Sequence, residues 1–339
     1  MTIHSPQLTF FSELSAQNLQ TLFRQPDVIA SLQKLQAAVS LGILDLSPER
    51  AEVVRSLNQA GIPVTAWLLL PREQGYWFNL DNDLFAVRRY HEFKEWTVQN
   101  DLHWAHIGLD IEPDIQAMQM LSSQPKVGAR LLLRHAFNGA RLKNGAKTYH
   151  ELIQQIHADG YPVETYQFPF ILDERQAQSH LIQRLIGVVD LPEADQEVLM
   201  LYSTFCRPWG PAVLWNYAPQ ARGIGIGSTG GGVEFNGSMD VSPLSWDEFQ
   251  TDLLLSAQHS PRIYVFSLEG CVQQGFLSHL TSFDWQQPVH IPYDNSRKVQ
   301  TLRQAIGKIL WLSARPAWLL LAVALFIGLV SRLPRKKRA

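Results

Sequence analysis

Residues His103 to Asp114 read HWAHIGLDIEPD, and two carboxylates two positions apart in an apolar run are the most chemically suggestive feature of the chain. A strand alternates its side chains between two faces, so Ile107, Leu109 and Ile111 would share one face and His106, Gly108, Asp110 and Glu112 the other. Pro113 ends such a strand and leaves Asp110 and Glu112 at its C-terminal end. Two crowded carboxyl groups do not both ionise cheaply. One keeps a proton that it can donate to a leaving oxygen, while the other orients a reacting group or stabilises positive charge. Glu112 is the candidate general acid/base and Asp110 its partner, with a salt-bridged or capping pair as the structural alternative.

Glu269 closes the run IYVFSLEG and is a possible second carboxylate, a nucleophile if it shares a site with Glu112 and a capping residue otherwise. Asp45, Asp173 and Glu174 read as caps or loop charges. Flat rings that can stack on sugar faces occur after predicted strands, with Tyr76 and Trp77 in GYWFN and then Trp209, Trp215 and Tyr217. GYWFN is the expected platform, although aromatic residues more often fill cores. His106, on the same face as Asp110, is a candidate substrate contact or base, or a hydrogen-bonded core histidine. RGIGIGSTGGG contains Gly225-x-Gly227-x-x-Gly230. No helix is expected after it, which argues against a dinucleotide fingerprint and leaves a plain turn or a phosphate nest.

The elements that must hold these residues alternate. Apolar strands are predicted near Leu8 and over 39–46, 63–70, 103–112, 161–168, 197–205, 222–227 and 262–269. Helical stretches intervene, among them SPERAEVVRSLNQAG, with Ser47 as N-cap, Pro48 in the first turn and Gly61 as the stop, and NDLFAVRRYHEFKEWTVQN. The stretch from Met118 to Gly160 exceeds one crossover and should add helices. Eight strands separated mostly by helices predict an α/β fold, a (β/α)8 TIM barrel over residues 1–295, with sites at the C-terminal ends of its strands.

Asp110-x-Glu112 at a strand end resembles the core of the family 18 chitinase signature, and Met200-Leu201-Tyr202 on a later strand resembles that family's Met-x-Tyr. The resemblance implies a glycosidase barrel in which Glu112 is the general acid, Asp110 positions the substrate and Tyr202 contacts it. The two earlier aspartates of that signature fall at Ala105 and Gly108. Glu112-Pro113 also resembles the Asn-Glu-Pro strand end of the retaining barrel glycosidases, which implies a nucleophilic role for Glu269, although Ile111 stands at the asparagine position.

The whole chain has 339 residues, 46% hydrophobic and 18% charged, with 29 Lys plus Arg against 31 Asp plus Glu. Such a balance excludes a disordered chain and argues against a nucleic-acid partner. Two distant cysteines, Cys206 and Cys271, give no zinc pattern, and no metal or cofactor is expected. The N-terminus shows no secretory signal pattern. Residues 316–331 carry no charge, and Arg332, Arg335, Lys336, Lys337 and Arg338 follow. A linker over 296–309, a transmembrane helix over 310–331 and a basic tail over 332–339 are therefore expected, with Trp311 and Trp318 as interface anchors. The basic tail alone would put the body outside the cell, whereas the absent signal favours a cytoplasmic body on a bilayer-inserted tail. The functional expectation is a membrane-anchored glycoside hydrolase-like protein with a carbohydrate substrate. A catalytically inactive carbohydrate-binding or scaffold barrel, and a phosphate-dependent barrel enzyme, are the alternatives.

Overall fold

The computed structural model describes residues 5–115, 130, 132, 134–136, 138–232 and 242–315. Eight parallel strands close into a barrel in sequence order. They are β1 (Gln7–Ser12), β2 (Ala38–Ile43), β3 (Val64–Leu68), β4 (His106–Asp110), β5 (Val163–Gln167), β6 (Gln196–Met200), β7 (Gly223–Gly227) and β8 (Arg262–Phe266). β8 closes on β1 through Leu8 opposite Ile263 and Phe10 opposite Val265. Each of the eight predicted strands coincides with one of these.

The helices are α1 (Ala16–Phe23), α2 (Pro26–Lys34), α3 (Pro48–Gln59), α4 (Asp83–Asn100), α5 (Gly139–Ala158), α6 (Phe170–Ala177), α7 (Leu181–Ile186), α8 (Gly210–Tyr217), α9 (Trp246–Ala257), α10 (Leu268–Gln273), α11 (Phe276–Leu280) and α12 (Tyr293–Ser313). Local chemistry sets their ends. Ser47 Oγ accepts from Arg50 N at 3.3 Å to start α3, and Ser245 and Glu248 form a reciprocal capping box on α9.

Strands buried on both faces divide their side chains between two cores. Leu8, Phe10, Ile107, Leu109 and Ile111 face the helices. Phe11, Trp67, Tyr166, Val198, Met200 and Tyr264 fill the barrel interior, where Phe11 meets Trp67 and Tyr166 edge-on at 5.3 and 4.9 Å. Glycines make that filling possible. A Cβ on Gly108 would sit 2.5 Å from Tyr166 Oη, and one on Gly223 would sit 3.0 Å from a Tyr264 ring carbon.

Residues 296–309, expected as a linker, belong to α12, which packs on the outside of the barrel. Val299 and Leu310 are buried, Arg303 pairs with Asp173 of α6 at 2.7 Å, and Asn216 of α8 donates to Ser296 Oγ at 2.8 Å. Those contacts turn an expected spacer into a layer of the fold. The expected membrane-spanning stretch begins inside this helix, and its residues 316–331 lie outside the described residues. Among the described residues no helix is long and apolar enough to cross a membrane.

Candidate active site

Asp110 ends β4 and Glu112 follows two residues on, on the inward face, while Ile107, Leu109 and Ile111 turn out to the helices as the alternation requires. The GYWFN loop fixes the backbone there. Phe78 N donates to Asp110 O and Glu112 N donates to Phe78 O, each at 3.0 Å, so the loop lies along the strand end like one further short strand. Trp67, inward on the neighbouring β3, donates its indole N–H to Asp110 Oδ2 at 3.0 Å. The other Asp110 oxygen is buried, and among the described residues no N–H or hydroxyl donor reaches it.

Burial, then the neighbouring charges of Glu112 and Glu13, push the Asp110 carboxyl well above the usual carboxylate range; the Trp67 bond opposes them. Glu112 is pushed up to about 8, first by burial and then by the Glu13 charge, against a hydrogen bond shared with Asp110. The physical meaning is a carboxyl pair, Asp110 buried and Glu112 half-buried, that keeps a proton at neutral pH. A proton held there is what general acid catalysis needs.

Glu13 completes the constellation and was not among the residues singled out from sequence. It follows β1 directly, and its charge acts on Asp110, Glu112 and Tyr202. Tyr76 of the GYWFN loop donates its hydroxyl to Glu13 Oε1. Burial and Glu13 together raise the Tyr76 pKa, so the phenol stays protonated. A cavity of about 280 Å³ at this end of the barrel is lined by Glu13, Leu44, Leu70, Arg72, Tyr76 and Gly232. The signal for Glu13 was in the sequence: with Thr9 and Phe11 it continues the inward alternation of the first strand.

Glu269 opens α10 at the same end of the barrel. Its Oε1 accepts from Glu13 N at 3.1 Å. Burial raises its pKa, opposed by backbone hydrogen bonds and by the Ser12 and Ser267 hydroxyls. A Cβ on Gly231 would lie 2.7 Å from Glu269 Cγ, and one on Gly232 would lie 2.6 Å from the Phe266 ring and 3.2 Å from a Glu13 oxygen. Both glycines have positive φ, +79° and +86°, which lets the backbone close over Glu269. The glycine run is therefore a strand, β7, and a tight cover. It lies against two carboxylates, where a phosphate would meet repulsion.

Tyr202 follows β6, turns inward and meets Phe266 at 5.8 Å between ring centroids. Burial and then the Asp110, Glu112 and Glu13 charges raise its pKa. Trp77 is buried in the barrel interior against Tyr76, ring centroids 5.2 Å apart, so it packs the mouth and is not an open platform. His106 starts β4, about 13 Å from Asp110 at roughly 3.3 Å per residue. It faces Glu164 at 3.5 Å at the other end of the strand, which separates it from the carboxyl pair. Trp215 lies on α8, in the outer layer, against the His259 ring at 4.7 Å and the helix-facing core. Asp45 pairs with buried Arg50 at 2.9 Å, and Glu174 caps α7 by accepting from Ile182 N and Gln183 N, as their reading as structural charges requires.

No family model and no curated protein matches the chain. Solved structures do. The glycoside hydrolase domain of PgaB (BpsB) from Bordetella bronchiseptica has 10% identity over 81% of this chain and 98% of that one, with a TM-score of 0.49. A mutant tryptophan synthase alpha-subunit from Pyrococcus furiosus has 12% identity over 83% and 98%, at 0.41. D-allulose 3-epimerase from Methylomonas sp. has 9% identity over 89% and 100%, at 0.41. The chain is a parallel (β/α)8 barrel with a carboxyl-rich mouth.

Proposed function

We propose that the barrel is a glycoside hydrolase-like enzyme with Glu112 as general acid. The supporting observation is the proton-holding pair of buried Asp110 and half-buried Glu112 at the C-terminal end of β4. Glu112 gives the pair's proton to the glycosidic oxygen as the bond to the anomeric carbon breaks, and the negative charge then left on the Asp110–Glu112 pair stabilises the positive charge on the sugar. Water then adds to that carbon and returns a proton to the pair. Glu13 lines the cavity and takes the place that sequence reasoning gave to Glu269: its carboxylate faces the sugar, held by Tyr76, and Glu269 holds the backbone of Glu13. Tyr202 lies beside the pair as a substrate contact. The uncharged run at 316–331 with its basic flank supports a membrane tether for the body.

The test is hydrolysis of a panel of aryl glycosides, N-acetylglucosaminides included, by the chain and by Glu112→Gln. Gln keeps the size and removes the transferable proton, so poor leaving groups should slow by about 10²-fold or more while good ones change far less. Equal loss for both kinds of leaving group would remove Glu112 from the acid role. Oligosaccharide binding without turnover of any glycoside would support an inactive binding barrel instead.

A further inference from the structure

α12 has two different faces. Val299, Arg303, Leu310 and Ser313 turn toward the barrel: two are buried, Arg303 pairs with Asp173, and Ser313 meets Ser179 at 3.0 Å. Leu302, Ala305, Ile309 and Leu312, spaced by three, four and three residues, form a stripe on another side of the helix. Leu302 is 51% exposed and Ile309 62%. Exposed Lys298 continues the line of the stripe one turn before Leu302, exposed Lys308 flanks it, and across the buried Leu310 the Arg315 guanidinium sits 4.4 Å over the Trp311 ring. The one acid of the helix is Asp294, in its first turn.

Its contacts locate it along the barrel axis. Asn216, near the end of α8, reaches Ser296, and Arg315 donates to Ala177 O, the end of α6, at 3.2 Å. Arg175, two residues before Ala177, pairs with Glu197 near the start of β6. α12 thus lies toward the N-terminal ends of the strands, away from the carboxyl mouth. Past Arg315 the chain continues as PAWLLLAVALFIGLVS and then RLPRKKRA.

We infer that α12 rests in the surface of an anionic lipid bilayer, with Leu302, Ala305, Ile309 and Leu312 at the acyl boundary and Lys298 and Lys308 among the headgroups. An apolar face with lysines at its end and along its flank is the chemistry of an interfacial helix. The apolar and then basic continuation of the chain makes lipid the occupant that fits. The mouth then faces away from the membrane, open to polymeric or soluble substrate. This inference does not depend on glycoside chemistry.

Hydroxyl-radical footprinting of the full chain tests it, with Phe205 and Trp209, exposed on the mouth side, as internal references. On phosphatidylcholine vesicles containing phosphatidylserine, oxidation of Leu302 and Ile309 should fall about threefold or more relative to the references. Lys298→Glu/Lys308→Glu should restore it. Unchanged oxidation on vesicles overturns the inference, including where flotation shows the chain to be lipid-bound. Protection already present without vesicles also overturns it, because residues 316–339 or a second copy would then cover the stripe. Equal protection without phosphatidylserine, unaffected by the double substitution, overturns the anionic surface.

Discussion

Trp67 Nε1 donates to Asp110 Oδ2 at 3.0 Å, and this bond opposes the burial and neighbouring charges that favour a protonated Asp110. An indole N–H favours the ionised form of Asp110, so it eases passage of the pair's proton to Glu112, where it can be donated. Trp67→Phe keeps the ring in the interior and removes the donor. Glycosidase kcat should then fall, and the alkaline limb of its pH profile should move up by about one unit, since a buried hydrogen bond to a charged group is worth about 1.5–3 kcal/mol. A variant that is only less stable, with the limb unmoved, would detach Trp67 from the proton.

Stability should also report the pair. The folded-state pKa of Glu112 is raised to about 8 from an ordinary 4.5, so the native state binds the extra proton between those values. Its contribution is fully present below about pH 4.5 and is lost as pH rises through about 8. Urea unfolding at pH 5 and pH 9 should show the chain losing more stability than Glu112→Gln, by about 2 kcal/mol, discounted because the two carboxyls titrate together. Equal losses would mean that Glu112 is ionised in the fold.

Glu13 is expected to be as important as Glu112 but by a different route. Glu13→Gln removes a negative charge that raises both members of the pair, so the alkaline limb should move down while kcat falls for good and poor leaving groups alike. Tyr76→Phe removes only the hydroxyl that holds Glu13 and should show a smaller loss of about tenfold. If Glu13→Gln leaves kcat and its pH profile intact, Glu13 has no part in the chemistry.

The order of elements and the inward direction of Asp110 and Glu112 were legible because strands buried on both sides leave apolar residues on alternate positions against the helices. Legibility failed where side chains far apart in sequence decide placement. Trp77 was read as a platform because loops after strands are usually open, yet the strand-like pairing of Phe78 with Ile111 folds the loop inward. His106 shares the face of Asp110, but the period of two says nothing of height along the barrel, and Glu164 claims it at the other end. Residues 296–309 look polar enough for a spacer, and partners far off in sequence, Asp173 for Arg303 and Asn216 for Ser296, turn them into a packed helix.

Gly108 links the interior packing to the site. A Cβ there would lie 2.5 Å from Tyr166 Oη, and Ser40 already fixes that hydroxyl at 2.7 Å. Gly108→Ala should cost about 1–3 kcal/mol in urea unfolding. In a double-mutant cycle with Tyr166→Phe, part of the cost should disappear, with a coupling of about 1 kcal/mol. Additive losses would place the strain of an added methyl elsewhere.

The packing of α12 moves the point at which the chain can be cut. Leu310 is buried, and Arg315 donates to Ala177 O at 3.2 Å and to Gln178 Oε1 at 3.0 Å. A chain ending at Arg315 keeps all of these contacts and loses the uncharged run and the basic tail. It should stay in solution without detergent and unfold in a single transition with the stability of the full chain. A chain ending at Ile309 loses the buried leucine and both arginine bonds, and its stability should fall by about 2–5 kcal/mol, the usual cost of emptying a buried leucine site. Matching stabilities for the two truncations would show that α12 contributes no packing energy at its end. A chain ending at Arg315 that still requires detergent would shift the source of membrane affinity from residues 316–339 to the exposed stripe of α12.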